Sequence, residues 1–158
     1  MRVALVNSGT RGDAQPLTVL ALELKARGHD VVLGVPPNLV PLGERAGVES
    51  LPFAIDTQAF MESPEGRRWL ASGNVRAFTE RLKVISHEHF AQTCRDTERV
   101  VAGADVVVAG ILAEDIALPY AQAAGIPVVP LHTAPFRPTR SRSTRSSTSW
   151  AASVRRTA

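Results

Sequence analysis

Short runs rich in valine and leucine alternate along this chain with segments of helical periodicity, and most helical segments stop at a glycine. That alternation constrains the fold more than any other feature. Residues 2–7 (Arg-Val-Ala-Leu-Val-Asn) read as a buried strand. The turn Ser8-Gly9-Thr10-Arg11-Gly12-Asp13 leads into a helix. Pro16 suits that helix's first turn, and Leu17, Leu20, Ala21 and Leu24 recur at i, i+3, i+4 and i+7 before Gly28 stops it. Residues 30–35 form a second strand, ended by Pro36-Pro37. Residues 38–46 predict a short helix with Gly47 as its stop, and 48–53 a weaker third strand. A short amphipathic helix fits 65–71. One long helix fits 75–101, with Val75, Phe78, Leu82, Ile85 and His89 on one face. A fully apolar strand at 106–109, a helix at 114–124 closed by Gly125, and a strand at 126–131 complete the pattern.

Strands that read apolar on both faces, each followed by a helix, predict an α/β fold. The expected form is a Rossmann-like parallel sheet with helices on both faces. In such sheets ligands bind beyond the carboxyl ends of the strands. That rule puts residues 9–13, 36–38, 110–115 and 132–136 along one rim. No internal repeat is visible.

Composition narrows the class. The 158 residues suit one domain, and 44% hydrophobic with 21% charged residues excludes wholesale disorder. The single cysteine, Cys94, excludes an internal disulfide framework and a multi-cysteine zinc site, and it has no marked partner in the sequence. No apolar stretch reaches the roughly 18–20 residues of a membrane helix. The start, MRVALVNSG, is too short for a signal peptide, so the expected location is cytoplasmic.

The net charge of +3 divides unevenly. Residues 139–158 hold Arg140, Arg142, Arg145, Arg155 and Arg156 and no acid, so the rest of the chain has two more acids than bases. Residues 1–138 read as the folded domain. The Arg/Ser/Thr-rich residues 139–158 have too little apolar surface to offset chain entropy and are expected to be disordered.

The first turn fits neither common nucleotide signature. A dinucleotide fingerprint needs three glycines and an acid after the second strand, but only Gly9 and Gly12 are present and that strand ends in Val35-Pro36. No Gly-Lys-Ser/Thr of a Walker loop occurs. The Arg11-Gly12-Asp13 tripeptide is too short to carry an adhesion reading. By spacing alone, Asp13 reads as an N-cap just ahead of a helix, where a carboxylate is stabilised.

The ten residues Asn7-Ser8-Gly9-Thr10-Arg11-Gly12-Asp13-Ala14-Gln15-Pro16 resemble the amino-terminal loop, G-[ST]-R-G-D-x-[QE]-P, of a glycosyltransferase family. That family includes glycopeptide-antibiotic, sterol and mycobacterial glycolipid enzymes, of the family 28 or family 1 type. The likeness continues through Leu24-Lys25-Ala26-Arg27-Gly28-His29-Asp30-Val31, Pro36-Pro37-Asn38 and Ala46-Gly47-Val48. It extends to Ala104-Asp105-Val106-Val107-Val108 and Ala124-Gly125-Ile126-Pro127, covering about residues 1–138. Ala14 stands where the family often has Val or Thr, a conservative change.

The resemblance implies the amino-terminal half of a GT-B fold. That half binds the acceptor, and a second Rossmann-like domain, with no counterpart in this sequence, binds the nucleotide-sugar. It implies inverting transfer of a hexose to a hydroxyl of a lipid or natural product, with Asp13 as general base. Ser8, Gly9, Thr10 and Gly12 would contact the donor diphosphate. His132, Phe78, Leu82 and His89 would line the acceptor pocket, against the plainer reading of each as a packing or capping residue. His87 falls on the polar face, and His87-Glu88-His89 is not a zinc-binding H-E-x-x-H. No metal and no cofactor beyond the nucleotide-diphosphate sugar as co-substrate are implied.

The abrupt Arg/Ser/Thr composition after residue 138 suggests a truncated member with a frame-changed tail, inactive alone. A separate donor-domain chain completing a split enzyme is one alternative. Another is a non-catalytic module binding a small molecule, with the tail attracting polyanions or the inner membrane face. One aromatic in the tail gives base stacking, and hence nucleic acid, little support. Open strand edges and exposed apolar surface predict marginal stability or self-association.

Overall fold

The computed structural model describes residues 1–133, apart from the side chains of Val75, Ala77 and Phe78. The readings of residues 134–136 as rim, of 139–158 as tail, and of Phe78 as a pocket residue lie outside the described residues.

Five strands form one parallel sheet: β1 (Arg2–Val6), β2 (Asp30–Val35), β3 (Glu49–Pro52), β4 (Val106–Gly110) and β5 (Val128–Leu131). Their order is β3-β2-β1-β4-β5. The chain steps outward from β1 to β3, then returns to place β4 on the other side of β1, so the order reverses between β1 and β4. Val3 and Leu5 lie beside Val31 and Leu33 of β2 and beside Val106 and Val108 of β4. Because successive side chains alternate between faces, one strand feeds two cores. Val3, Leu5, Val31, Leu33 and Val35 pack under α1 (Arg11–Ala26) and α2 (Val40–Arg45). Ala4, Val6, Val32, Val107 and Ala109 pack under α6 (Phe90–Val101) and α7 (Glu114–Ala123), with Phe53 between. Each fully buried Leu, Val or Phe contributes about 1.5–3 kcal/mol.

The remaining helices are α3 (Thr57–Glu62), α4 (Pro64–Ser72) and α5 (Val75–Glu88), and a single 3₁₀ turn, Pro37–Leu39, precedes α2. The doubly covered parallel sheet is the one the alternation predicts. Three local expectations change. First, α1 starts at Arg11, so Pro16 lies in its second turn. The ring removes the bond that residue 16 would make to the Gly12 carbonyl, and both residues are exposed, which leaves that carbonyl open to solvent. Second, α3 was not expected. Asp56 caps it, its Oδ1 accepting from Ala59 N–H at 2.9 Å.

Third, the single helix expected over 75–101 is two helices broken at His89. The apolar stripe stays in phase across the break, so periodicity does not reveal it. The cause is tertiary. α6 packs on β1, β2 and β3, whereas α5 packs on α4. Thr93 and Thr97 hydroxyls donate back to the carbonyls of His89 and Thr93, a pattern that bends helices.

Candidate active site

The turn from β1 into α1 stands at the carboxyl edge of the sheet, where the strand order reverses. Asn7 closes β1 and is only 2% exposed; its N–H donates to Gly34 O at 2.9 Å. Its side chain fills the space beside Gly110, where a Cβ would come within 2.3 Å of Asn7 Oδ1. Gly9 then turns the chain at φ +124°, a conformation that side chains resist. A Cβ on Gly9 would lie 2.6 Å from Asp13 Oδ2. Glycine is required here both by the backbone angle and by the carboxylate packed against it.

Thr10, not Asp13, is the N-cap of α1. Asp13 is the third helical residue and reaches back, so the pair forms a capping box. Its Oδ2 accepts from Thr10 N–H at 2.9 Å and from the Thr10 hydroxyl at 3.0 Å. The reading of Asp13 as a cap ahead of the helix is therefore corrected: the helix begins earlier and the aspartate sits inside its first turn. One carboxylate oxygen is held in place and the other, Oδ1, makes no hydrogen bond to a described residue. The side chain is half-buried. Both Thr10 donors are spent on Asp13, which leaves Ser8, the Arg11 side chain and the N–H groups of Gly9, Arg11 and Gly12 among the turn's other donors.

Two cavities flank the turn. The smaller, about 280 Å³, is lined by Ser8, Gly9, Ala54, Ile55, Leu82, Phe90, Leu112 and Ile116, among others. Its wall is mainly apolar, and Phe90 and Leu112 remain 62% and 56% exposed at its mouth. The larger, about 450 Å³, lies on the α2–α3 side and includes Thr10 and Arg11. Thr57 lines both, and its hydroxyl donates to Gly9 O at 2.5 Å, tying α3 to the turn. Asp13 lines neither cavity; it lies behind Gly9, beside Leu112.

Of the residues expected to line an acceptor pocket, Leu82 reaches the smaller cavity. His89 does not: it is exposed at the α5–α6 break, with ring Nδ1 2.9 Å from Ile85 O. Its expected place on the apolar face of an unbroken helix is corrected by that break. His132 ends β5 half-buried, with Nε2 2.9 Å from Glu114 Oε2 at the start of α7; the two side chains are 14% and 16% exposed. It lines neither cavity. Sequence reasoning placed residues 110–115 on the rim without singling out Leu112 or Glu114, the partner of His132, and it missed Thr57 and Phe90. Only Thr57 had a local signal, the Asp56 cap before it. Among the described residues no cluster of three His, Cys, Asp or Glu side chains forms a metal site, and no helix is long and apolar enough to cross a membrane.

Comparison with known proteins bears on the family and the fold. An uncharacterized glycosyltransferase of Mycobacterium leprae is 32% identical over 137 residues, covering 87% of this chain and 32% of the relative. The O-mycaminosyltylonolide 6-deoxyallosyltransferase of Streptomyces fradiae is 39% identical over 109 residues, covering 68% of this chain and 26% of that enzyme. The solved calicheamicin glycosyltransferase CalG4 superposes with a TM-score of 0.64 over 90% of this chain and 34% of its own, at 17% identity. A Streptomyces glycosyltransferase, SsfS6, solved with thymidine diphosphate, superposes at 0.59 over 84% of this chain and 38% of its own, at 18% identity. The chain spans about a third of the length of the curated relatives it matches. The family described as glycosyltransferase family 28 N-terminal domain matches residues 3–139, and the chain belongs to it, as an amino-terminal domain of GT-B type.

Proposed function

We propose that this domain holds the acceptor for sugar transfer from a nucleotide-diphosphate sugar, with Asp13 as general base and inversion at the anomeric carbon. The observation that carries this reading is the Asp13 carboxylate. Thr10 fixes it through Oδ2, and Oδ1 has no hydrogen-bond partner among the described residues, next to the turn that lines an apolar cavity. Ser8, Leu82, Phe90, Leu112 and Ile116 suit a lipid or natural-product acceptor with an apolar body. As the acceptor oxygen bonds to the anomeric carbon, its proton passes to Asp13 Oδ1. The bond from that carbon to the diphosphate breaks, and the diphosphate leaves with the electron pair. Ser8 and the Gly9 and Gly12 N–H groups stand where they can meet that diphosphate. Thr10 joins them only by releasing Asp13. His132, oriented by Glu114, serves the acceptor from the rim.

Transfer also needs a donor-binding domain, which residues 1–133 do not form, supplied by further sequence or by a separate chain. The likeness to the O-mycaminosyltylonolide 6-deoxyallosyltransferase of Streptomyces fradiae supports the acceptor class. The experiment grafts residues 1–133 onto the carboxyl-terminal two-thirds of the Streptomyces fradiae relative and measures sugar transfer. Asp13→Ala is expected to lower turnover ~10²–10⁴-fold, with the fold retained and about 1 kcal/mol of stability lost with the capping box. Equal turnover in the variant overturns the assignment.

A further inference from the structure

The larger cavity, about 450 Å³, has no part in the reading above, although its volume suits a small ligand. Its wall brings together two arginines from separate elements, Arg11 at the first residue of α1 and Arg45 at the last residue of α2. Neither guanidinium makes an ion pair or hydrogen bond to a described residue. The one acid on the wall, Glu62, has its Oε1 engaged by Gln58 Nε2 at 2.8 Å. Asn38 donates through Nδ2 to Gln58 Oε1 at 3.3 Å, while its own Oδ1 is shut from solvent without a donor among the described residues. A shielded acceptor of that kind ordinarily has a partner. Leu39, Leu42 and Met61 supply the apolar part of the wall.

We propose that this cavity binds a phosphate-bearing small ligand, with Arg11 and Arg45 clamping the phosphate and Leu39, Leu42 and Met61 covering an apolar portion. Two planar guanidiniums approaching from different elements suit a tetrahedral group with several terminal oxygens better than one flat carboxylate. Arg11 also sits in the first turn of α1, whose unbonded N–H groups add positive potential. The same chemistry comes from two sources, a soluble phosphate ester or a phospholipid headgroup. The proposal does not depend on Asp13 being a base.

The test is titration calorimetry of the 158-residue chain at low ionic strength with inorganic phosphate. In parallel, sedimentation is measured with phosphatidylcholine vesicles with and without phosphatidic acid. Saturable phosphate binding is expected, about tenfold or more weaker in Arg45→Gln, retained in Arg45→Lys and unchanged in the distant Lys83→Gln. The basic tail attracts anions equally in every variant, so the contrast among variants isolates the cavity. Arg45-dependent sedimentation with phosphatidic acid, without binding of free phosphate, supports the headgroup source. Absence of saturable binding in both arms overturns the site, as does binding that Arg45→Gln leaves unchanged.

Discussion

Gly9 and Asp13 are one structural unit. The left-handed backbone at Gly9 and the missing Cβ together let the carboxylate lie against the turn. Gly9→Ala is expected to cost about 1–3 kcal/mol in a urea titration and to move Asp13 off Thr10. An alanine variant with unchanged stability would show that the turn relaxes freely. The N-cap identity matters in the same way. Thr10→Ala removes a hydroxyl bonded to Asp13 Oδ2 and should lower stability by about 1 kcal/mol. The motif around Asp13 was legible in the sequence as a specific string, and its place at the strand–helix turn followed from the apolar run before it. Which residue caps the helix was not. Thr10 and Asp13 are both good cap residues, and only the backbone path, turned by Gly9, decides between them.

The pairing of α6 with α7 has a measurable signature. Tyr120 of α7 meets Cys94 of α6, and its phenol is pushed up to about 12. The hydrogen bond with Cys94 is the largest cause, followed by burial and by the nearby negative charge of Cys94 and Glu98. Tyr120 is the only tyrosine in the chain, so an ultraviolet titration reports it alone. A midpoint near 12 is expected, falling toward 10 in Cys94→Ala. A wild-type midpoint at 10 would place the phenol away from Cys94. The sign for stability follows. Below pH 10 the phenol is protonated in both folded and unfolded chains. As pH rises from 10 toward 12 the unfolded chain loses its proton first, so stability declines across that window. Cys94, which has no marked partner in sequence, thus gains one from a helix more than twenty residues away. The break at His89 is the same kind of fact: the stripe from Leu82 through Val100 is continuous in phase, and only the different neighbours of α5 and α6 separate them.

At the scale of the molecule, the sheet among the described residues ends at β5, a half-exposed strand in which Val129 and Pro130 are the exposed residues. Pro127 O accepts from Val107 N–H, so residues 127, 129 and 131 direct their backbone groups at β4. Pro130 therefore has its nitrogen on the edge away from β4, which no described strand covers, and offers no donor there to an added strand. Pro130→Val restores that donor and is expected to increase self-association of the 158-residue chain in sedimentation velocity. An unchanged profile would remove the edge from consideration as an association surface.

The succession of strands along the chain, the two-sided burial of β1, β2 and β4 and the family were legible in local pattern. A buried parallel strand must be apolar, a helix must carry its stripe, and the Gly9–Pro16 string is specific. The sequence alone determined that much about this protein. The tertiary structure decided the Thr10–Asp13 exchange, the division at His89 and the meeting of Cys94 with Tyr120. It also decided the seating of His132 on Glu114 and the two cavities on either side of Gly9. These depend on side chains brought together from distant elements by packing, and no local periodicity encodes which distant surface a residue will face.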